Sequence, residues 1–433
     1  MTPITTADID RLRRRIERVE GGRMEPSPAP RTPTFEDFTY SELFAQPRVD
    51  HYDVEQYLDG KVIENKLGSY FLAERFYPNH KLHGSFEISR LAAMPGHWLE
   101  GISKGDIPAC DPSRWAFLDT ETTGLAGGTG TCAFLIGVGT IEPEGFRVRL
   151  FFMRDYDEEA PMLRALSEFL ADYEVLVTYN GKSYDAPLLE TRFLLRRQPN
   201  PLQRMHHLDL LHGSRSLWKL RLESCRLIHL ECEILGMERQ GDLPGELIPH
   251  YYFEYLRTRQ AFKLVPMFHH NAMDILSLAC LTEVVLPSFA APEDAALHHG
   301  ADLLGLARWL RRSGDHAAAA ALYRKALQAD MADSELFAAL WESALIERKR
   351  GCHEQKRDLL LDLAACRNPY QAKALTELAK HYERCEKDLP QALDAANQAA
   401  KLDPGEQTDK RIARLQRRVA RTAAADPRLA CET

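Results

Sequence analysis

The stretch Phe117-Leu118-Asp119-Thr120-Glu121-Thr122-Thr123-Gly124 determines how this chain is interpreted. It continues an apolar run that starts at Trp115, which predicts a buried strand. Because side chains alternate along a strand, Asp119 and Glu121 share a face, about 7 Å apart. Two like charges at this separation repel each other in a site of low dielectric constant, and a divalent cation between them offsets the repulsion. The pattern therefore favours a metal site, although a solvated strand end with two surface carboxylates would show the same triplet.

A second acidic residue is predicted where a strand meets a helix. The apolar, β-rich residues 176–179 precede a turn at Asn180-Gly181, and Asp185 then opens an apolar helical pattern. A carboxylate in this position also caps helices in many proteins, so capping is the alternative to a functional role.

A third segment, His269-His270-Asn271-Ala272-Met273-Asp274, leads into another apolar helical pattern. On a helix, Asp274 lies one turn after His270 and on the same face. A base and an acid therefore point in the same direction.

These segments resemble, in order, the motifs of the DEDD 3′→5′ exonucleases of the ribonuclease-H-like superfamily. The first motif, Asp-x-Glu, is matched by Asp119 and Glu121, and the second, Asn-x-x-x-aromatic-Asp, is matched by residues 180–185. The third is a Tyr or His four or five residues before a final Asp, and Asp274 supplies that acid.

Two further patterns resemble the YprB-like branch of this superfamily more specifically. They are residues 239–246, Arg-Gln-Gly-Asp-Leu-Pro-Gly-Glu, and the pattern His270-Asn271-x-x-Asp274. Members of that branch pair the nuclease-type domain with C-terminal TPR helices, so the resemblance implies the same combination here.

The resemblance implies hydrolysis of phosphodiester bonds with two divalent ions, Mg²⁺ or Mn²⁺. The implied metal ligands are Asp119, Glu121, Asp185 and Asp274. The residues expected to contact the substrate are Thr122, Asn180, Tyr184 and Arg192.

A histidine is the expected general base, because a neutral imidazole with a pKa near 6.5 can accept a proton from water. Helical spacing and the YprB-like pattern favour His270. Exonucleases of the histidine type usually place the base five residues before the acid, which favours His269. We predict His270 and keep His269 as the alternative.

The order of predicted elements indicates an α/β fold of the ribonuclease-H-like type over residues 111–290. The strand at Trp115, the apolar run 132–139 and the alternating segment 146–152 predict an antiparallel meander, followed by helix, strand and helix. Glycines follow the first strand, but the next segment is strand-like. Pyrophosphate binding needs a helix directly after the glycines, so no dinucleotide cofactor is predicted.

Three other regions are predicted on either side of this domain. Residues 1–34 contain a short helix and a Pro-rich linker, and residues 35–110 form a mixed segment of unknown role. Residues 295–425 are Ala-rich and repeat a small-large pattern typical of 34-residue TPR units, with one inserted residue in the last copy. This predicts an all-α repeat that binds a protein partner; a non-repetitive helical bundle is the alternative.

Composition limits the function classes. At 433 residues, the chain is expected to contain two or three domains. A net charge of −8 is unusual for a nucleic-acid enzyme. The arginines between Glu190 and Arg226 predict either a local basic rim, which would suit a single strand or a 3′ end, or an ordinary solvated face.

Location is also predicted from composition. Nine scattered cysteines fit reduced thiols, and no run approaches the roughly 18 apolar residues of a membrane helix. We therefore expect a cytoplasmic protein that binds no membrane.

A cluster of possible zinc ligands, Cys225, His229 and Cys232, shares one helix face. A fourth ligand at the usual spacing is missing, and the interleaved apolar residues favour core packing instead.

Two alternatives to an exonuclease stay open. One is a catalytically inactive scaffold that binds partners through the TPR segment, and the other is a structure-selective endonuclease on the same fold. The sequence does not distinguish DNA from RNA, because that choice depends on a contact to a 2′-hydroxyl.

Overall fold

The computed structural model describes residues 54–124, 130–239 and 241–425. The predicted N-terminal helix and Pro-rich linker, residues 1–34, and part of the Gly-rich turn, residues 125–129, lie outside the described residues.

A seven-stranded mixed sheet forms the centre of the protein, in the order β1-β2-β7-β6-β5-β8-β9. Strands β5 to β7 form the antiparallel meander that the sequence predicts, while β8 and β9 run parallel to β5. A separate two-stranded hairpin is formed by β3 and β4. The strands are β1 (Gly60–Asn65), β2 (Gly68–Pro78), β3 (Leu82–His83), β4 (Phe86–Glu87), β5 (Trp115–Thr122), β6 (Ala133–Glu142), β7 (Gly145–Phe152), β8 (Val175–Thr178) and β9 (His206–Asp209).

The first two strands extend the sheet beyond the predicted domain. β2 pairs antiparallel with β7, with Phe71 opposite Phe152, and β1 pairs with β2. Residues 35–110 were predicted as a segment apart from residues 111–290, but the sheet continues across that boundary. The pairing of β2 with β7 joins segments that are distant in sequence, and the alternation of residues within one strand does not show which strand it pairs with.

The helices around the sheet are mostly short, apart from one long helix. They are α1 (Ser89–Ala92), α2 (Trp98–Ser103), α3 (Glu159–Leu170), α4 (Asp185–Leu195), α5 (Leu210–Trp218), α6 (Leu227–Leu230), α7 (Ile248–Thr258) and α8 (Val265–Ala290).

Helix α8 packs across β5, β6 and β7. Its Phe268 contacts the rings of Phe71 and Phe152, with centroid distances of 6.2 and 5.1 Å. Gly137 on β6 makes the close approach of this helix possible, because a Cβ atom there would lie 2.0 Å from Oδ1 of Asn271. The missing side chain therefore sets the distance between the core helix and the sheet.

The apolar stretch Ala261–Ala290 is long and apolar enough to cross a membrane, contrary to the expectation that no such run exists. In the structure, 78% of its most apolar window is buried inside the protein. Burial against the sheet accounts for this composition, because a helix that is apolar all round belongs in a core as readily as in a bilayer.

The C-terminal region is helical and packs as successive neighbouring helices. It joins the sheet domain through α9, where Gly305 approaches the backbone of Ser216 and Asp302 pairs with Arg221 at 2.9 Å. The main apolar core extends to Ile346, and a second core fills the remaining helices. These helices are α9 (Gly300–Ser313), α10 (His316–Leu327), α11 (Asp333–Arg350), α12 (His353–Ala365), α13 (Gln371–His381), α14 (Leu389–Leu402) and α15 (Glu406–Ala425).

Candidate active site

The end of strand β5 lies in an open cleft of about 650 Å³. Asp119 and Glu121 line this cleft together with Asp185, the first residue of α4. The register of β5 against β6 shifts between Glu121 and Thr122, which ends the regular pairing at the cleft. The alternation predicted from the sequence thus places both carboxylates of β5 in one depression.

Asp185 is buried, with 8% of its surface exposed. Its Oδ1 accepts a hydrogen bond of 2.5 Å from the hydroxyl of Thr120, the residue between the two acids of β5. No cap hydrogen bond from the side chain of Tyr184, the residue before the helix, is present. The contact with Thr120 ties the start of α4 to strand β5.

Helix α8 supplies the third part of the cluster. Nδ2 of Asn271 donates a hydrogen bond of 2.8 Å to Oδ2 of Asp119. One side-chain atom each of Glu121, His270 and Asp274 lie within 4.8 Å of one another, close enough to share a metal ion. The helical spacing predicted for His270 and Asp274 therefore brings them to the carboxylates of β5.

Burial raises the pKa values of Asp119, Glu121 and Asp185. Burial, followed by the charges of Asp274, Asp185 and Glu121, raises the pKa of Asp119 well above its ordinary value. Burial raises the pKa of Glu121 to about 8 and the pKa of Asp185 to about 6. Buried carboxylate oxygens with this mutual repulsion fit hard divalent cations, whose charge offsets it. The residues present therefore suit Mg²⁺ or Mn²⁺.

His270 is held between two acidic residues. Its Nδ1 lies 2.9 Å from both carboxylate oxygens of Asp242, and its Nε2 lies 3.5 Å from Oδ2 of Asp274. Burial alone would lower the pKa of His270, but Asp274, the hydrogen bond to Asp242 and Glu121 raise it to about 9. These acidic neighbours thus favour the protonated imidazole, whereas a neutral ring is the expectation from the sequence.

His269 points to a different part of the protein. Its Nδ1 lies 3.2 Å from Nη1 of Arg75 on β2. Burial and the charge of Arg75 lower the pKa of His269 to about 4. Of the two candidate histidines, His270 is the one beside the carboxylates.

Comparisons with known proteins show which family the chain belongs to. Residues 116–286 match the family model of the RNase_H superfamily. The chain is 31% identical over 355 residues to the Bacillus subtilis (strain 168) protein described as "Uncharacterized protein YprB", covering 79% of this chain and 84% of that protein. The chain belongs to the YprB family. Among solved structures, the family B DNA polymerase of the archaeon Pyrobaculum calidifontis superposes with a TM-score of 0.32 at 18% identity, over 48% of this chain and 30% of the polymerase.

The segment that first suggested the YprB family contains a buried arginine whose role the sequence did not reveal. Only 3% of the Arg239 side chain is exposed, and it forms ion pairs with Glu231, Asp242 and Asp274. The same Asp242 contacts His270. Arg239 therefore links the two acidic residues that flank the histidine, and the Arg-Gln-Gly-Asp sequence was the available signal for it.

Asn271 is a second candidate functional residue to which the sequence patterns assign no role. It is fully buried, and it lies next to His270 in the His-Asn pattern of the YprB family. Its contact with Asp119 crosses from helix to strand, so no local pattern could reveal it.

Three of the four residues predicted to contact substrate line the cleft: Thr122, Asn180 and Tyr184. The Tyr184 side chain is exposed, with 62% of its surface accessible. Asn180 adopts a left-handed conformation with φ of 67°, and its backbone N–H donates to Asp209 at 2.8 Å. This contact holds the turn that leads into α4.

Arg192 does not occupy the predicted position at the substrate. It is buried and bound to Glu159, with Nε to Oε1 at 2.5 Å and Nη2 to Oε2 at 2.7 Å. Arg196 contacts the same carboxylate. The prediction was wrong because a buried acid from α3, distant in sequence, binds Arg192 and also contacts Arg196, two of the arginines between Glu190 and Arg226.

Core packing, rather than zinc binding, was the favoured interpretation of the cysteine-histidine cluster near α6. Within the described ranges, the groups of close metal-binding side chains do not include Cys225, His229 or Cys232. Cys232 is exposed, and a π-helical turn at Glu231–Leu235 follows α6.

Proposed function

We propose that this chain is a metal-dependent nuclease, and specifically a 3′→5′ exonuclease acting on single-stranded DNA or RNA ends. The observation that supports it most directly is the meeting of Glu121, His270 and Asp274 within 4.8 Å of one another, beside a cleft lined by Asp119 and Asp185. The match of residues 116–286 to the RNase_H superfamily supports nuclease chemistry in general terms. The exonuclease assignment is our inference from the motif pattern.

The carboxylates would hold the cations. Asp119, Glu121, Asp185 and Asp274 offer the hard oxygen ligands that Mg²⁺ and Mn²⁺ prefer. Bound divalent ions would neutralise charge on the scissile phosphate and lower the pKa of water.

His270 would accept the proton of the attacking water. Asp242 faces Nδ1, which orients the ring and leaves Nε2 directed towards Asp274. Because Asp242 occupies Nδ1, Nε2 is the ring nitrogen that would bind or release a proton. Asp274, Asp242 and Glu121 hold the pKa of His270 above its ordinary value, and a cation bound by Asp274 and Glu121 would offset part of their charge and favour the neutral ring. It is then able to act as a general base.

The remaining contacts position the ligands and the substrate. Asn271 holds one oxygen of Asp119 and leaves the other available, while Thr120 fixes Asp185. The exposed ring of Tyr184 at the cleft offers a surface on which a base can stack.

The test is a time course on 5′-labelled single-stranded DNA and RNA with Mg²⁺ or Mn²⁺. We expect stepwise shortening from the 3′ end, and no shortening by the Asp119→Ala variant, whose fold is checked by circular dichroism. Asp362→Ala removes an exposed carboxylate on α12 and serves as the matched control. Unchanged cleavage by Asp119→Ala would reject the site.

Substrates blocked at the 3′ end separate the alternatives. Internal cuts in a blocked substrate identify an endonuclease. Metal binding without cleavage of any substrate identifies an inactive scaffold.

The proposal extends to the C-terminal helices. Their successive packing supports a TPR-like repeat that binds a protein partner. A cytoplasmic location is part of the same proposal.

A further inference from the structure

A second group of metal-binding side chains lies in the C-terminal helices, outside the cleft. His353, His381 and Cys385 each contribute one ligand atom, and these atoms lie within 4.8 Å of one another. His353 is the first residue of α12, and His381 is the last residue of α13. The cluster therefore bridges two neighbouring helices, and nothing in the proposed nuclease function uses it.

One ring nitrogen of His381 is buried without a hydrogen bond to the described residues. Only 4% of its surface is exposed, and its Nε2 lies 2.9 Å from Oε1 of Glu386. Its Nδ1 is buried and has no hydrogen-bond partner in the part of the chain that the structure describes. Since a buried polar atom without a partner is destabilising, a ligand at Nδ1 would remove an unfavourable feature.

The contact with Glu386 is the one that metal-binding histidines typically make. A ligating imidazole usually donates its second ring N–H to a carboxylate, which fixes its tautomer and orientation. Glu386 is itself held by Arg357, whose Nη1 lies 3.1 Å from Oε1. The ring of His381 is thus oriented by a supported carboxylate, with Nδ1 left for a metal.

A local irregularity places Cys385. Residues Tyr382–Glu386 form a π-helical turn after α13. Ala307 and Leu310 of α9 correspond to Ala379 and Tyr382 at an offset of 72 residues, whereas the N-cap residues Asp315 and Asp388 differ by 73. One residue is therefore inserted inside the π turn.

π-Helical turns are rare in proteins, and those that occur are frequently found at functional sites. Here the π turn carries Cys385, whose Sγ lies within 4.8 Å of a ring nitrogen of His381 and one of His353.

We propose that His353, His381 and Cys385 bind one zinc ion that fastens α12 to the end of α13. Two imidazole nitrogens and a thiolate suit Zn²⁺, in contrast to the oxygen-rich cleft around Asp119. Three protein ligands leave the fourth tetrahedral position for water or an external ligand.

Cobalt(II) titration of the full-length protein tests the site. Metal-stripped, reduced protein is titrated with Co²⁺ while the thiolate-to-cobalt charge-transfer absorption is recorded, and Zn²⁺ is then added to displace it. We expect one sulfur-bound Co²⁺ per chain. The nuclease cleft cannot produce this signal, because its candidate ligands contain no sulfur.

Variants of exposed residues keep the test independent of folding. Cys385→Ser should abolish the charge-transfer band, and Glu386→Gln should weaken Co²⁺ binding about 10-fold through loss of the supporting carboxylate. Cys366→Ser is the matched control, because Cys366 is also exposed and lies beyond the opposite end of α12.

A second readout is stability. Zn²⁺ should raise the Tm of the wild-type protein and of Cys366→Ser, but not that of Cys385→Ser, because a ligand that binds only the folded state stabilises it. Absence of the band in the wild type, or an equal band in Cys385→Ser, would overturn the proposal. Nuclease activity with Mg²⁺ should be the same in all these variants.

Discussion

Asn271 of helix α8 donates a hydrogen bond of 2.8 Å to Asp119 of strand β5, and this contact joins the core helix to the strand that carries Asp119 and Glu121. It fixes one carboxylate oxygen in place. The same helix carries His270 and Asp274, so the position of α8 sets the geometry of the whole cluster.

Replacing Asn271 by alanine should therefore impair the proposed activity through the metal site. Loss of a residue that orients a metal ligand typically costs 10- to 100-fold in metal affinity or activity. We expect Asn271→Ala to need a higher Mg²⁺ concentration for half-maximal cleavage, by about 10-fold. The measurement is the rate as a function of Mg²⁺ concentration; an unchanged Mg²⁺ dependence would contradict the positioning role.

Gly137→Ala should separate α8 from the sheet. The added Cβ would lie 2.0 Å from Oδ1 of Asn271 and 2.1 Å from Cδ1 of Ile275, so the helix must move. Overpacking of this kind costs about 1–3 kcal/mol of the free energy of unfolding. Urea denaturation measures the loss, and Gly405→Ala, where the new methyl group meets nothing within 4 Å, should be close to neutral.

Arg239→Met should destabilise the fold more than an ordinary loss of charge. The substitution leaves Glu231, which is fully buried, and Asp274 without their cationic partner. Removing one partner of a buried ion pair costs about 3–5 kcal/mol. Arg164→Met breaks an exposed pair with Glu168 on α3 and should cost less than about 1 kcal/mol. Equal effects of the two substitutions on urea denaturation would refute the structural role of Arg239.

The stability of the protein should fall in mild acid because of His83. Its Nε2 lies 2.7 Å from the hydroxyl of Ser277, and burial lowers the pKa of His83 from 6.5 to about 4. Below pH 6.5 the unfolded chain binds a proton that the folded chain accepts only near pH 4. The folded state therefore loses up to about 3 kcal/mol across this window.

His83→Gln isolates this contribution, since other groups titrate equally in both proteins. The difference in unfolding free energy between variant and wild type should change by about 3 kcal/mol between pH 7 and pH 4, in favour of the variant in acid. A difference that does not vary with pH would show that His83 is not held neutral.

Tyr184→Ala should weaken substrate binding without affecting the fold. The ring lies at the cleft with 62% of its surface exposed, so little packing is lost. Stacking of a base on an aromatic ring contributes about 1–3 kcal/mol, which corresponds to a rise in KM of about 5-fold to 150-fold. Tyr184→Phe keeps the ring and should retain the KM of the wild type. A normal KM for Tyr184→Ala would place the substrate elsewhere.

Predictions from the sequence succeeded where the structure follows from the repeat of side-chain directions along one strand or one helix. Alternation along β5 puts Asp119 and Glu121 on one face, and helical spacing puts His270 beside Asp274. The meander of β5, β6 and β7 followed from short turns between apolar strands. Each of these features depends on residues close together in the chain.

Predictions failed where the partner is distant in sequence. Arg192 was expected at the substrate, but Glu159 from another helix binds it. The proximity of His353, His381 and Cys385, which the structure brings together, was not predicted from the sequence. Spacing along one helix cannot reveal ligands contributed by two helices.

The sequence by itself determined the acidic strand, the order of the elements around it and the membership of its motifs in one superfamily. Only the tertiary structure decided which histidine faces the carboxylates, that Arg239 and Asp242 support it, and that β1 and β2 complete the sheet. The physical reason is that these interactions act over different distances along the sequence. Backbone periodicity acts over a few residues, while ion pairing and strand pairing depend on which distant surfaces the packing of α8 brings together.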